Sequence, residues 1–278
     1  MSLALPFGAP RPVLLMRAGL ISGGLIAIVL AALVAGPQGA EVSAANRLLP
    51  PSLAAPFGTD LLGRDMLART LAGLGLSLRT GLLAAGMAAV LGLGFGLLAA
   101  LGGRLLDRAV AMVIDLLLGL PHLVLLILVA VALGGGADAV VIAVGTTHWP
   151  RLARLVRAEV QSLLGAAYVR QSRRFGRSRW WIARHHLLPH LVPQVTVGFV
   201  LMFPHAILHE AGLSFLGFGL EPHLPAIGVI LAESMRALNA GAWWLAALPG
   251  LALLCVVLGF DRLGNDLAAL LRPEGRAG

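Results

Sequence analysis

Six stretches of the chain are apolar almost without interruption: Ala18 to Gly36, Thr80 to Leu101, Ala109 to Leu133, Ala139 to about Arg157, Leu191 to Gly219 and Ala242 to Phe260. A helix needs about 20 apolar residues to cross the hydrocarbon core of a bilayer. The pattern therefore predicts an all-α, polytopic membrane protein with six transmembrane helices. The second stretch is rich in Gly and Ala, which let helices approach closely inside lipid. The third is interrupted by Asp115 and by Pro121-His122, and the second half of the fourth is basic. Residues 60–79 alternate charged and apolar positions in helical rhythm, the pattern of a helix lying at the interface. This divides the chain into an N-terminus with the first span (1–36), an external linker with an interfacial helix (37–79), a five-helix core (80–270) and a tail (271–278). Arg11 and Arg17 precede the first apolar run and small residues follow it, as in a signal peptide. Its apolar core exceeds the usual ~7–15 residues of such a peptide, so it is read as a retained span.

Composition sharpens the picture. Of 278 residues, 58% are hydrophobic and 12% charged, against roughly 25% charged in soluble domains. The net charge of +8 would suit a nucleic-acid binder. However, all 21 basic residues are arginine, and they stand in blocks beside apolar runs, where membrane flanks place them. The absence of lysine excludes a phosphate-loop ATPase and a Schiff-base enzyme. If nucleotide energy is used, another chain must bind it. The single cysteine, Cys255, excludes an internal disulfide and a thiol metal cluster.

Arginine placement predicts orientation. Residues 151–184 hold nine Arg and one acidic residue, Glu159, which marks a cytoplasmic segment. Counting spans from there puts both termini on the cytoplasmic side, and 37–79 and 220–241 outside. Arg47, Arg64 and Arg69 run against the rule. Asp60 and Asp65 stand near Arg64, and Asp60, Arg64 and Asp65 are read as a structural charge cluster.

The cytoplasmic loop, 158–190, contains "GAAYVRQSRRFGRSRWWIARHHLLPHLVP". It predicts an amphipathic helix, a break at Gly176, and a second helix leading to Pro189. Tyr168, Val169, Ser172 and Phe175 can share one side, with Arg170, Arg173, Arg174 and Arg177 on the others. Such a short surface helix suits a groove on a soluble partner, or anionic lipid headgroups.

This loop resembles the coupling loop of binding-protein-dependent ABC importer permeases, whose pattern is E-A-A-x-x-x-G, nine residues, then I-x-L-P. Gly176 and Pro189 keep the spacing. Arg170, Gln171 and Ser172 occupy the E-A-A positions, so the acidic start is lost, and His186 replaces the isoleucine. "FGTDLLGRDMLAR" (57–69), "YVRQSRRFG" (168–176) and "GLSFLGFGLEPHLPAIG" (212–228) also resemble the peptide/nickel branch of that family.

The resemblance implies the type I permease fold. It implies a second homologous permease, two ATPase subunits that bind ATP and Mg, an extracytoplasmic solute-binding protein, and a bacterial inner-membrane location. This chain itself would then hold no cofactor and catalyse no bond chemistry. Ala166, Tyr168, Val169, Ser172, Arg173, Phe175 and Gly176 would form the element that couples to the ATPases.

In the fifth span, "FPHAILHEAGLSFLGFGL" carries His205, His209 and Glu210. A zinc peptidase needs H-E-x-x-H, but leucine stands where the second His belongs, so an intramembrane hydrolase is the weaker alternative. His205 and His209 are one turn apart and share a face. Two ligands from one helix fall short of the three or four protein ligands that zinc sites use, so no firm metal site is assigned. Ionisable groups inside membrane helices mark pathways, which makes His205, His209 and Glu210 candidate pathway or gate residues. His122, His148 and Trp149 could border the route. The resemblance is nearest to nickel- and metallophore-handling members, so a nickel chelate is the expected cargo and a di- or oligopeptide the alternative. Pro222 and Pro225 keep the start of the 221–240 segment from being helical. Glu221, His223, Glu233 and Arg236 are candidate contacts for the binding protein.

Overall fold

The computed structural model describes residues 10–35 and 42–271; the tail at 272–278 and the junction at 36–41 lie outside the described residues. Ten α-helices follow one another: α1 (Arg11–Ala35), α2 (Met66–Leu101), α3 (Arg104–Gly119), α4 (His122–Ala132), α5 (Gly136–Leu164), α6 (Ala167–Arg174), α7 (Arg179–Ile182), α8 (Leu188–Phe215), α9 (Ile227–Leu238) and α10 (Trp244–Leu270). The only β pairing among the described residues is one isolated bridge, Thr59 with Asp65.

Among the described residues, four segments are long and apolar enough to cross a membrane: Arg11–Ala32, Met66–Leu101, Arg179–Phe215 and Trp244–Leu270. A fifth counts if α3 and α4, bent by 100°, form one broken span. The bend falls at Pro121, the interruption expected from the sequence. Asp115 does not interrupt anything, because it lies inside α3 and accepts a hydrogen bond from Arg154 at 2.5 Å. α5 runs through Thr146, Thr147, His148 and Arg151 and falls short of that apolarity. The expected six spans are therefore four by length and composition, five with the bent pair, and six only if α5 is counted by position.

The interfacial helix expected over 60–79 is not separate. Residues 66–79 and the second apolar stretch form one 36-residue helix, α2. Asp65 starts it, its carboxylate accepting from the Ala68 N–H at 2.7 Å, which satisfies one free donor of the first turn. At 1.5 Å per residue this helix is about 54 Å long, far more than the ~30 Å hydrocarbon core. The helix therefore extends past the core, with Arg69 in its first turn and Arg79 near its fourth.

α2 is the spine. Small residues bring α5 and α8 against it: a side chain at Gly92 would meet Leu152, one at Gly96 would meet Val156, and one at Gly81 would meet Ile207. Ala84, Ala85 and Ala88 are buried beside them. Helices inside lipid gain little from the hydrophobic effect, and close backbone approach is what such residues contribute. α1 pairs with α10 through Arg17 and Asp266, and presents Leu15, Met16, Leu20 and Ile26 outward. α9 begins just after Pro225 and wedges between α2 and α8. A Cβ at Gly73 would come within 2.2 Å of the Pro225 carbonyl oxygen, and one at Gly228 within 2.1 Å of the Ala211 carbonyl oxygen.

Candidate functional site

Three places carry the residues singled out above. The first is a cavity of about 560 Å3 between the α3–α4 bend, α5 and α8, lined by apolar side chains together with His122, Thr147, His148, Arg151, His205 and His209. Each histidine arrives for a local reason. His122 opens α4 immediately after the Pro121 break. His148 lies on α5 two residues before the in-helix Pro150. His209 lies on α8, one turn after Pro204.

The three rings close on one another. Centroids lie 4.6 Å apart for His122–His148, 4.9 Å for His122–His209 and 5.0 Å for His148–His209. One ring nitrogen of each lies within 4.8 Å of the others. His205 and His209 both line this cavity, but only His209 joins the ring cluster. His205 is exposed at the cavity wall, with its Nδ1 facing the Leu201 carbonyl at 3.3 Å. Helical spacing put the two on one stripe, but the neighbouring helices chose which of them gained partners.

Glu210 faces away from the cavity. It is 1% exposed, and its carboxylate accepts from the Ser214 hydroxyl at 2.9 Å. That hydroxyl in turn accepts from the Leu220 N–H at 3.0 Å. Glu210 thus pins the end of α8 and the turn that follows, and does not line the cavity beside His209. Trp149 is also buried, its ring 4.5 Å from that of Phe95.

The second place is the basic loop. α6 ends at Arg174 and the chain turns at Gly176, whose φ of +76° suits glycine. Val169 is fully buried, in a cluster with Leu163, Ile182, Ala183 and Leu187. Ser172 lies 2.9 Å from His186 Nε2, and the Tyr168 ring 5.3 Å from the His186 ring. His186, at the position where the resembled pattern has isoleucine, therefore holds α6 by a hydrogen bond and a ring contact. Tyr168 and Phe175, expected beside Val169, point out, at 47% and 75% exposed. Ala166 caps the helix start, and Arg173 is exposed with them.

The third place is an ionic network ahead of α9. Arg64 Nε and Arg69 Nη1 each donate to Asp60 Oδ2 at 2.7 Å. Arg69 Nη2 donates to Glu233 at 2.9 Å. Burial pushes the Asp60 carboxyl up, but the Arg64 N–H and guanidinium, the Leu62 N–H and Arg69 outweigh it and hold it below its ordinary range. Glu233, expected as a binding-protein contact, is engaged inside this network. Arg236 lines the same recess. Glu221 sits against Gly136, and His223 is exposed.

Residues 92–269 match the family described as binding-protein-dependent transport system inner membrane component. The chain is 33% identical over 92% of its length, and 84% of the relative's, to the dipeptide transport system permease protein DppC of Alkalihalophilus pseudofirmus. It is 37% identical to a putative peptide transport system permease protein of Brucella suis over 90% of this chain and 84% of that one. It is 34% identical to the probable D,D-dipeptide transport system permease protein DdpC of Escherichia coli, over 82% of this chain and 76% of that one. Among solved structures, an inward-facing MetNI methionine ABC transporter chain superposes with a TM-score of 0.59 at 20% identity, covering 74% of this chain and 98% of its own; this likeness concerns the fold. By this match and these relatives the chain is a transport permease, not an enzyme. It belongs to the binding-protein-dependent inner-membrane permease family of ABC importers. Members of this family work with a partner permease, an ATPase and a binding protein.

Proposed function

We propose that this chain is one of two permease subunits of an importer for di- or oligopeptides. The observation that carries this is that relatives 33–37% identical across more than four-fifths of the chain are dipeptide or peptide permeases. The nickel–metallophore cargo expected from the resemblance finds no support among these relatives.

Two ATPase subunits bind ATP and Mg on the cytoplasmic side and hold the coupling loops, with Tyr168, Arg173 and Phe175 as the exposed contact. Val169, Ser172 and Gly176 fix that helix to the bundle, and Ala166 starts it. His205 and His209 belong to the transport pathway, which passes the cavity between α4, α5 and α8. Glu221, His223 and Arg236 face the binding protein. Both termini are cytoplasmic. The conformational cycle is a coupling free energy between nucleotide state and pathway orientation. The test is uptake of radiolabelled dipeptide and tripeptide, and of nickel with and without chelator, by a strain lacking this chain and by the complemented strain. Restored peptide uptake with unchanged nickel uptake is the expected result. Nickel uptake restored without peptide uptake would overturn it.

A further inference from the structure

We propose that His122, His148 and His209 form a binding site for one divalent transition-metal ion of the zinc, nickel or cobalt class. Its fourth position opens to the cavity.

The orientation of His148 is the first argument. Its Nδ1 faces the Val144 carbonyl at 2.8 Å. A carbonyl only accepts, so Nδ1 carries the proton and Nε2 presents its lone pair. That arrangement, a ligand imidazole whose far nitrogen donates to a backbone carbonyl, fixes both tautomer and ring direction for a metal. The lone pair points at His122 Nε2, 3.3 Å away.

Distance is the second argument. Metal–imidazole bonds are about 2.0–2.1 Å, and two ligands at a tetrahedral angle then stand about 3.3 Å apart. The His122–His148 edge already has that length. His209 makes ring contacts with both and no hydrogen bond among the described residues. Its ring nitrogen stands within 4.8 Å of the other two, so at most about 1.5 Å of approach separates it from the ligand–ligand spacing of a tetrahedral site.

The donor set is the third. Three imidazoles and no carboxylate or thiolate suit borderline cations and not calcium or magnesium. Three helices that meet at one cavity supply one ligand each, so the site depends on the fold and not on one stripe of one helix. A hydrogen bond from His122 to His148 would account for that pair, but it leaves His209 without a partner. Arg151 lines the same cavity. Its charge disfavours a bare cation and favours an anionic fourth donor, such as a carboxylate entering from the cavity. The site does not depend on which cargo is imported.

The experiment uses the assembled transporter in detergent, with its affinity tag cleaved and metal stripped by chelator. Zinc bound per chain is measured by mass spectrometry after equilibration with zinc chloride and desalting. One ion per chain is expected for the native protein and for His205→Asn. The triple variant His122→Asn, His148→Asn, His209→Asn should lose it. Equal zinc in native and triple-variant protein, or none in native protein, overturns the proposal. Zinc-edge X-ray absorption of the native protein gives a readout that needs no variant. Three imidazole ligands support the site, and one or fewer sinks it.

Discussion

At the residue scale, the decisive groups are those with charge or no side chain. Asp60 is held in its charged form by Arg64 and Arg69, and Arg69 is 4% exposed. Removing one partner of a buried pair typically costs about 3–5 kcal/mol. Asp60→Asn should fall at the low end, because Glu233 still faces Arg69, and a lowered unfolding midpoint in detergent would register it. The folded pKa of Asp60 is depressed, so its contribution is complete above the unfolded value of about 3.9 and is lost as pH falls through the lower folded value. The stability difference between native and Asp60→Asn protein should be constant from pH 7 to pH 5 and shrink only in stronger acid. Gly228 is the steric counterpart. A methyl there meets the Ala211 carbonyl at 2.1 Å and Ser214 Cβ at 2.7 Å, both on a packed helix. Overpacking of this kind costs about 1–3 kcal/mol, so Gly228→Ala should lower the unfolding midpoint. The sequence exposed half of the ionic network. Asp60 and Arg64 are one turn apart and were legible as a cluster, whereas Glu233 stands 164 positions from Arg69 and only the fold brings it in.

At the element scale, α6 separates two jobs that its spacing had merged. Tyr168, Val169, Ser172 and Phe175 fit one helical stripe, yet Val169 is buried and Phe175 is open. The eight-residue helix meets the helical segment 182–187 through Val169, which packs with Ile182, Ala183 and Leu187, and Phe175 lies at its open end. Phe175→Ala therefore removes exposed contact area without touching the core. Truncating an exposed aromatic anchor weakens an interface by about tenfold or more when it is a hot spot. Peptide uptake and ATPase association should both fall in Phe175→Ala, with permease yield and unfolding midpoint unchanged. Val169→Asp should instead lower the yield itself, because an unpaired carboxylate cannot be buried cheaply. The long α2 shows the limit of reading elements from polarity alone. Arg69 and Arg79 suggested a separate interfacial piece, but helical propensity does not stop at a charge. No proline stands between Met66 and Leu101 to break it. The histidine trio was likewise out of reach. Each ring was visible as a polar residue in an apolar run, but which rings meet is set by how α4, α5 and α8 pack.

At the scale of the whole molecule, the remaining question is which face meets the cytoplasm. Nine arginines over 151–184 point α6 inward by the positive-inside rule. Two of the three arginines that run against the rule, Arg64 and Arg69, are committed to Asp60 and Glu233, which gives them a structural reason to sit on the other face. The geometry makes the prediction direct. Phe175 and His223 are both exposed, and they stand at opposite ends of the long segment that carries α8. Cys255 is the one native thiol and is itself exposed, so Cys255→Ser supplies a silent background. In that background Phe175→Cys should react with a membrane-impermeant maleimide only in inverted vesicles, and His223→Cys only in right-side-out vesicles or intact spheroplasts. The opposite pattern would place the basic loop outside, where no ATPase could reach it, and would remove the coupling role of α6. Labelling of both positions from one side would mean that the segment between them does not cross the membrane, despite 28 helical residues in α8, enough for about 42 Å of helix.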